Sequence, residues 1–254
     1  MKKVIYIMAC GPSINNITDE EWNFLKSKET IGFSNFPFKD EPTKYHIATE
    51  NFRDDKRAIR RIKSNNFMNT KIYSHKPETI NLSKNLGFNS YQIYVRKGLH
   101  NFNGKMWLHG EEPNNNLLDN FGKTINDRLF TFRGQLSTIL NFAYTLNPDD
   151  IRLCGVDLTS QSHFFDKNPS LESLTKYQKN QVGIPKRLIG WNPEKIHTTA
   201  CPSKNKFGVI VTVPEIIKRL RYELNKENIM LHVCSKDSLL YKNKILDYKR
   251  ITDE

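Results

Sequence analysis

Several short apolar runs in this chain stop at a small polar group, and that repeated ending narrows the choice of fold more than any other feature. The first run, residues 3–9, is continuously β-branched and apolar and is bounded by Gly11-Pro12-Ser13. A run of that length closed by a turn signal reads as a buried, parallel strand. Residues 30–34 end at Asn35, and residues 45–49 end at Glu50-Asn51. Residues 151–154 close on Gly155-Val156-Asp157, and residues 229–234 run into Ser235-Lys236-Asp237-Ser238-Leu239-Leu240. Residues 71–74 and 91–95 are further strand candidates.

Helical patterns alternate with these runs. Thr18 and Glu21 have capping-box spacing, which starts a helix at Asp19. Residues 52–63 set Arg53, Lys56, Arg57, Arg60, Arg61 and Lys63 around Ile59 and Ile62, a basic helix. Residues 135–146 form an apolar helix stopped by Asn147-Pro148, and residues 213–226 a basic amphipathic one with Pro214 in its first turn. The alternation predicts an α/β fold: one Rossmann-like domain, mostly parallel, with helices on both faces of the sheet. Residues 1–158 make the ligand-binding core and residues 209–254 a final helix, strand and basic tail. Between them, residues 159–208 lack periodicity and read as an irregular lid or acceptor segment. Residues 98–127, rich in Asn, Gly and Pro, read as a long surface segment.

At 254 residues the chain can bury a core without cross-links. Its four cysteines (Cys10, Cys154, Cys201, Cys234) have no zinc spacing and read as reduced, cytoplasmic thiols. No apolar run is long enough to span a membrane, and the N-terminal run is too short for a signal peptide. The formal net charge of +12 implies an anionic partner: nucleotide, nucleic acid or acidic membrane surface.

In open α/β sheets the ligand sits beyond the carboxyl ends of the strands, so the loops after the strands carry the chemistry. Gly11 lets backbone N–H groups approach a phosphate, and Ser13 offers a hydroxyl. The stretch lacks both the P-loop lysine and the further glycines of a dinucleotide fingerprint, and an ordinary strand-to-helix turn fits it equally well. Asn35 and Asn51 could read sugar hydroxyls or a pyrimidine edge, or simply serve as turn residues. Gly155 permits close approach. Asp157 could hold a ribose, although an aspartate bonding backbone amides is the commoner use. His197 and His163 are candidate general bases because imidazole titrates near neutrality. No HExxH, Cys/His cluster or Asp-x-Asp supports a metal.

Taken in order, these short motifs resemble the bacterial sialyltransferases of glycosyltransferase family 42, which use CMP-sialic acid. The resemblance spans about residues 1–241. It rests on Gly11-Pro12-Ser13, Ser34-Asn35, Asn51, the helix-strand unit ending Gly155-Val156-Asp157-Leu158, Phe164-Phe165-Asp166, and Ser238-Leu239-Leu240. It implies a GT-A-variant fold, an inverting mechanism, no cofactor and no metal, with a CMP-sugar as donor substrate and a glycan of lipooligosaccharide or capsule as acceptor. It places Gly11, Pro12, Ser13, Asn35, Asn51, Gly155, Asp157 and Ser238 at the nucleotide. Arg133 and Gly134 fall in the segment that approaches the donor, and Cys10 replaces the family's Asn. His197 falls at the base position, and His163 stands where a tyrosine would hold the departing phosphate.

Two other classes compete. A pyrophosphokinase-like phosphoryl transferase would need ATP and magnesium. A basic nucleic-acid-binding module would use the charge of residues 52–63, but no aromatic-interleaved motif accompanies it, so nucleic acid is not the expected partner. Peripheral contact with an anionic membrane and a homo-oligomer are both compatible with the composition.

Overall fold

The structure is a computed structural model that describes residues 2–49, 52–97, 100–102, 105–107, 117–131, 134–160, 163–164, 195–201, 203–205 and 208–253. Its centre is β1 (Val4–Met8), buried on both faces as its uninterrupted apolar run requires. Ile5, Ile7 and Ala9 point into one core, while Tyr6, Met8 and Cys10 point into the other. Burying one such side chain contributes about 1.5–3 kcal/mol. β1 therefore anchors both layers.

From β1 the sheet grows in two directions. On one side lie β2 (Glu29–Phe33), β3 (Tyr45–Ala48), β4 (Lys71–Ser74) and β5 (Ser90–Gln92). On the other lie β10 (Asp150–Cys154), β13 (Met230–Val233) and the short edge strand β14 (Asp247–Tyr248). The order is β14-β13-β10-β1-β2-β3-β4-β5, and every neighbouring pair is parallel.

Helices cover both faces. α1 (Asp19–Leu25) starts from the Thr18–Glu21 capping box and buries Trp22 and Leu25 beside Tyr6 and Met8. α2 (Phe52–Ser64) buries Ala58, Ile59 and Ile62 and leaves Arg53, Arg60 and Lys63 exposed. α3 (Pro77–Asn85) packs beside α2 and β4. On the opposite face, α4 (Gln135–Thr145) and α5 (Val213–Lys226) join Ile5, Ile7 and Leu153 in the larger core. Strand progression reverses between β1 and β10, and the connecting helices change faces with it, as right-handed crossovers demand. The chain is thus an α/β, doubly wound, Rossmann-like domain. The described residues contain no helix long and apolar enough to cross a membrane.

Two expectations need correction. Residues 91–95 are not one strand: Ser90–Gln92 closes the main sheet, Ile93 is fully buried, and β6 (Tyr94–Lys97) pairs with β9 (Arg128–Thr131) instead. Nor is 98–127 wholly a surface segment. It holds β7 (His100–Phe102) and β8 (Lys105–Trp107), which form a small sheet with β11 (Ser203–Asn205) and β12 (Gly208–Ile210). Leu117, Leu118 and Phe121 are buried against the larger core, because a short apolar turn amid polar neighbours gains more by burial than by hydration. Asn141, fully buried in α4, pins that turn. Its Oδ1 accepts from the N–H groups of Gly122 (3.0 Å) and Phe130 (2.8 Å), and its Nδ2 donates to the Gly122 carbonyl (2.9 Å).

A charged cluster lies inside the sheet, away from the loops. Asp150 accepts from Arg152 (3.1 Å), sits 2.7 Å from Nδ1 of His232 and pairs with Lys249 at 3.3 Å. Burial alone would raise the Asp150 carboxyl, but the His232 hydrogen bond and the Arg152 guanidinium hold it below the ordinary range. Arg152 also donates to the carbonyls of Arg250 and Ile251, which fastens the C-terminal segment over β10.

Candidate functional site

The reversal between β1 and β10 is a topological switch point, the place where open parallel sheets open a crevice for ligand. Two loops meet there. The N–H of Gly11 donates to the Gly155 carbonyl at 2.8 Å, and a Cβ on Gly11 would lie 2.4 Å from that carbonyl oxygen. Gly155 has φ +71°, and a Cβ there would lie 2.5 Å from Ile14. Only glycine at both positions lets the loops touch.

Asp157 locks the contact. Its Oδ2 accepts the Ser13 N–H at 2.8 Å, and its Oδ1 accepts the Ser13 hydroxyl at 2.5 Å. Burial raises the Asp157 carboxyl above its ordinary range against the opposing pull of those two bonds. Ser238 holds the same loop from below. Its hydroxyl donates to the Val156 carbonyl at 2.7 Å, and the next N–H, that of Leu239, donates to the Asp157 carbonyl at 2.7 Å. The hydroxyls of Ser13 and Ser238 are therefore spent on the scaffold.

Above these loops is a cavity of about 250 Å³. Its floor is Ala9 to Pro12 and Gly155 to Leu158, and its sides are Phe33 and Ser34 after β2 and Gly134 to Leu136 at the start of α4. Val213, Ser160, His163, His197 and Thr199 complete it. Of the sequence-derived candidates, the fold brings Gly11, Pro12, Gly134, Gly155, Asp157, His163 and His197 together around one space. Ser13, Asn35 and Ser238 do not line it. Asn35 instead opens a 3-10 turn (Phe36–Lys39), its carbonyl accepting from Phe38. Asn51, Arg133, Phe165 and Asp166 lie outside the described residues, as does most of 159–208.

His197 is held from both sides. Its N–H donates to the Leu158 carbonyl at 3.2 Å, which ties the histidine turn to the Asp157 loop. Its Nδ1 accepts the Thr199 N–H at 3.3 Å and lies 2.8 Å from the Thr199 hydroxyl. Burial and the neighbouring His163 lower its pKa below the ordinary histidine value, so the ring is neutral at pH 7. The bond from the Thr199 N–H to Nδ1 leaves the proton of the neutral ring on Nε2; the other tautomer, with Nδ1–H donating to the Thr199 hydroxyl, is the one that frees the Nε2 lone pair a base requires.

No family model, curated protein or solved structure matches this chain. The site's chemistry therefore stands on its own geometry: close-packed glycine loops at a switch point, a neutral oriented histidine, and a second histidine beside it. Among the described residues no three His, Cys, Asp or Glu side chains are grouped to hold a metal ion.

The sequence reading passed over Thr199 and Phe33, whereas Leu158 closes the Gly155-Val156-Asp157-Leu158 motif and Gln135 follows Gly134 in the segment expected to approach the donor. Thr199 carries a local signal, a hydroxyl two residues after a candidate base. Phe33 is an ordinary residue that only the fold carries to the cavity.

Proposed function

We propose that the chain is an inverting glycosyltransferase that moves sialic acid, or a related sugar, from a CMP-activated donor to a glycan acceptor. The observation that carries this is the convergence of His197 and His163 with the Gly11 and Gly155 loops around one cavity at the switch point. The ordered series of motifs resembling family 42 supports the same conclusion, as does the basic composition, which suits an anionic donor.

In the proposed reaction the anomeric carbon–phosphate bond breaks as the acceptor oxygen bonds to that carbon from the opposite face. CMP leaves with the electron pair of the broken bond. His197, in the tautomer whose Nδ1–H donates to the Thr199 hydroxyl, accepts the acceptor hydroxyl proton at Nε2. Charge develops on the departing phosphate, so groups that bind it more strongly then than before accelerate the step. The Gly11 and Ser13 N–H groups are engaged on Gly155 and Asp157 and Pro12 has none, so the His163 ring is assigned that task. Thr199 is a positioning residue. CMP-sugar is substrate, and no cofactor is invoked.

The deciding experiment is a thermal-shift screen with CMP, UMP, GDP, UDP, ATP and CMP-N-acetylneuraminate, each with and without EDTA. A ligand that binds only the native state must raise the melting temperature. A cytidine-selective shift that EDTA leaves unchanged is expected. An ATP shift that requires magnesium would replace the proposal with phosphoryl transfer.

A further inference from the structure

Gln135 is the first residue of α4, and both polar atoms of its side chain, Oε1 and Nε2, are buried with no hydrogen-bond partner among the described residues. A buried amide left unpaired destabilises a fold, so this one sits where a native chain rarely tolerates it. It also lines the 250 Å³ cavity. We infer that Gln135 reads the transferred sugar, pairing its amide with a neutral ligand group that offers a donor and an acceptor side by side, such as an N-acyl arm.

Position favours the sugar over the nucleotide. A Cβ on the adjoining Gly134 would meet Thr199 at 3.8 Å, and Thr199 holds His197. The start of α4 is thus beside the histidine turn, which the His197 N–H also ties to the Leu158 carbonyl at the rim of the glycine-loop floor. If the phosphate rests on the floor and the acceptor hydroxyl on His197, the group in transfer lies beside Gln135. A neutral amide is suited to a neutral substituent there, because it matches one N–H and one C=O at once. This inference rests on the glycosyltransferase reading of the same cavity and adds the residue that selects the sugar.

The test compares wild type with Gln135→Leu in thermal-shift titrations of the full chain with CMP and with CMP-N-acetylneuraminate. In wild type the sugar nucleotide is expected to bind more tightly than CMP. Gln135→Leu should keep the CMP shift and bind CMP-N-acetylneuraminate about 10-fold to 100-fold more weakly, the equivalent of two lost hydrogen bonds. Without ligand it should melt no lower than wild type, since two unpaired polar atoms are gone. Equal wild-type shifts from the two probes would overturn the inference, as would a variant that responds to both as wild type does. Loss of the CMP shift in the variant would assign the amide to the nucleotide instead and also overturn it. A wild type that answers neither probe would instead sink the glycosyltransferase reading, and this inference with it. If Gln135→Leu does not fold, Gln135→Met, which keeps the length of the side chain, carries the same comparison.

Discussion

Ser13 gives both of its donors to Asp157: the backbone N–H to one carboxylate oxygen at 2.8 Å and the hydroxyl to the other at 2.5 Å. That pair closes the switch point, because Ser13 follows β1 and Asp157 follows β10. Asp157→Asn would turn an amide N–H toward one of those donors. It should cost about 2–4 kcal/mol, and Ser13→Ala about 1–2 kcal/mol. The double variant should lose less than the sum, since the two side chains share one interaction. Urea unfolding of the three variants measures this. Additive losses would show the pair to be uncoupled.

Gly155 and Gly134 both have positive φ, yet they should respond differently to alanine. At Gly155 a Cβ collides with Ile14 at 2.5 Å and with the Ala9 carbonyl at 2.9 Å. Gly155→Ala should cost more than about 3 kcal/mol or prevent folding. At Gly134, with φ +118°, the nearest contact is 3.8 Å, so only backbone strain remains, about 1–2 kcal/mol. Thermal melts of the two variants separate collision from strain.

His46 lies in β3 at 1% exposure, and burial lowers its pKa from 6.5 to about 3. The folded chain keeps the ring neutral, whereas the unfolded chain protonates it below pH 6.5. The stability it contributes is therefore complete above pH 6.5 and is lost as pH falls from there toward 3, by roughly 5 kcal/mol in all. His46→Leu should flatten the difference in urea midpoint between pH 7.5 and pH 4.5. An unchanged slope would mean that another group governs acid sensitivity.

His197 has its pKa lowered by burial and by His163. A base must be unprotonated, so turnover should fall on the acid side only below pH 6.5, as pH drops through the lowered value. His197→Ala should reduce turnover by roughly two to four orders of magnitude. Thr199→Val should reduce it about 10-fold and shift the acid limb, because the Nδ1 partner is gone while the base remains. Turnover retained in His197→Ala with near-native CMP binding would remove His197 from the role.

Much of the fold was legible because strands buried on both faces must be apolar throughout. The runs around β1, β2, β3, β10 and β13 announced themselves within a residue or so of their true ends, and Thr18–Glu21 marked the start of α1. α3, β9 and β14 were not legible. Each is short, and its placement is supplied by neighbours: α3 by α2 and β4, β9 by β6, β14 by β13. Leu117 and Leu118 were misjudged for a related reason. Two leucines in a polar stretch reveal their burial only once α5 and the core are in place.

The candidate site divides along the same line. Gly11, Gly155 and Asp157 are visible as strand-ending loop residues because a close turn has few chemical solutions. Whether their donors face a ligand or each other depends on which strands become neighbours, and pairing β1 with β10 turned Ser13 and Ser238 inward. By itself the sequence determined an α/β chain with loop chemistry at the strand ends, since periodicity and turn residues act over a few bonds. Only the tertiary structure decided that His197, Thr199, His163 and Gln135 share one cavity. Burial, tautomer and unpaired amides depend on neighbours far away in the chain, and local sequence holds no record of that distance.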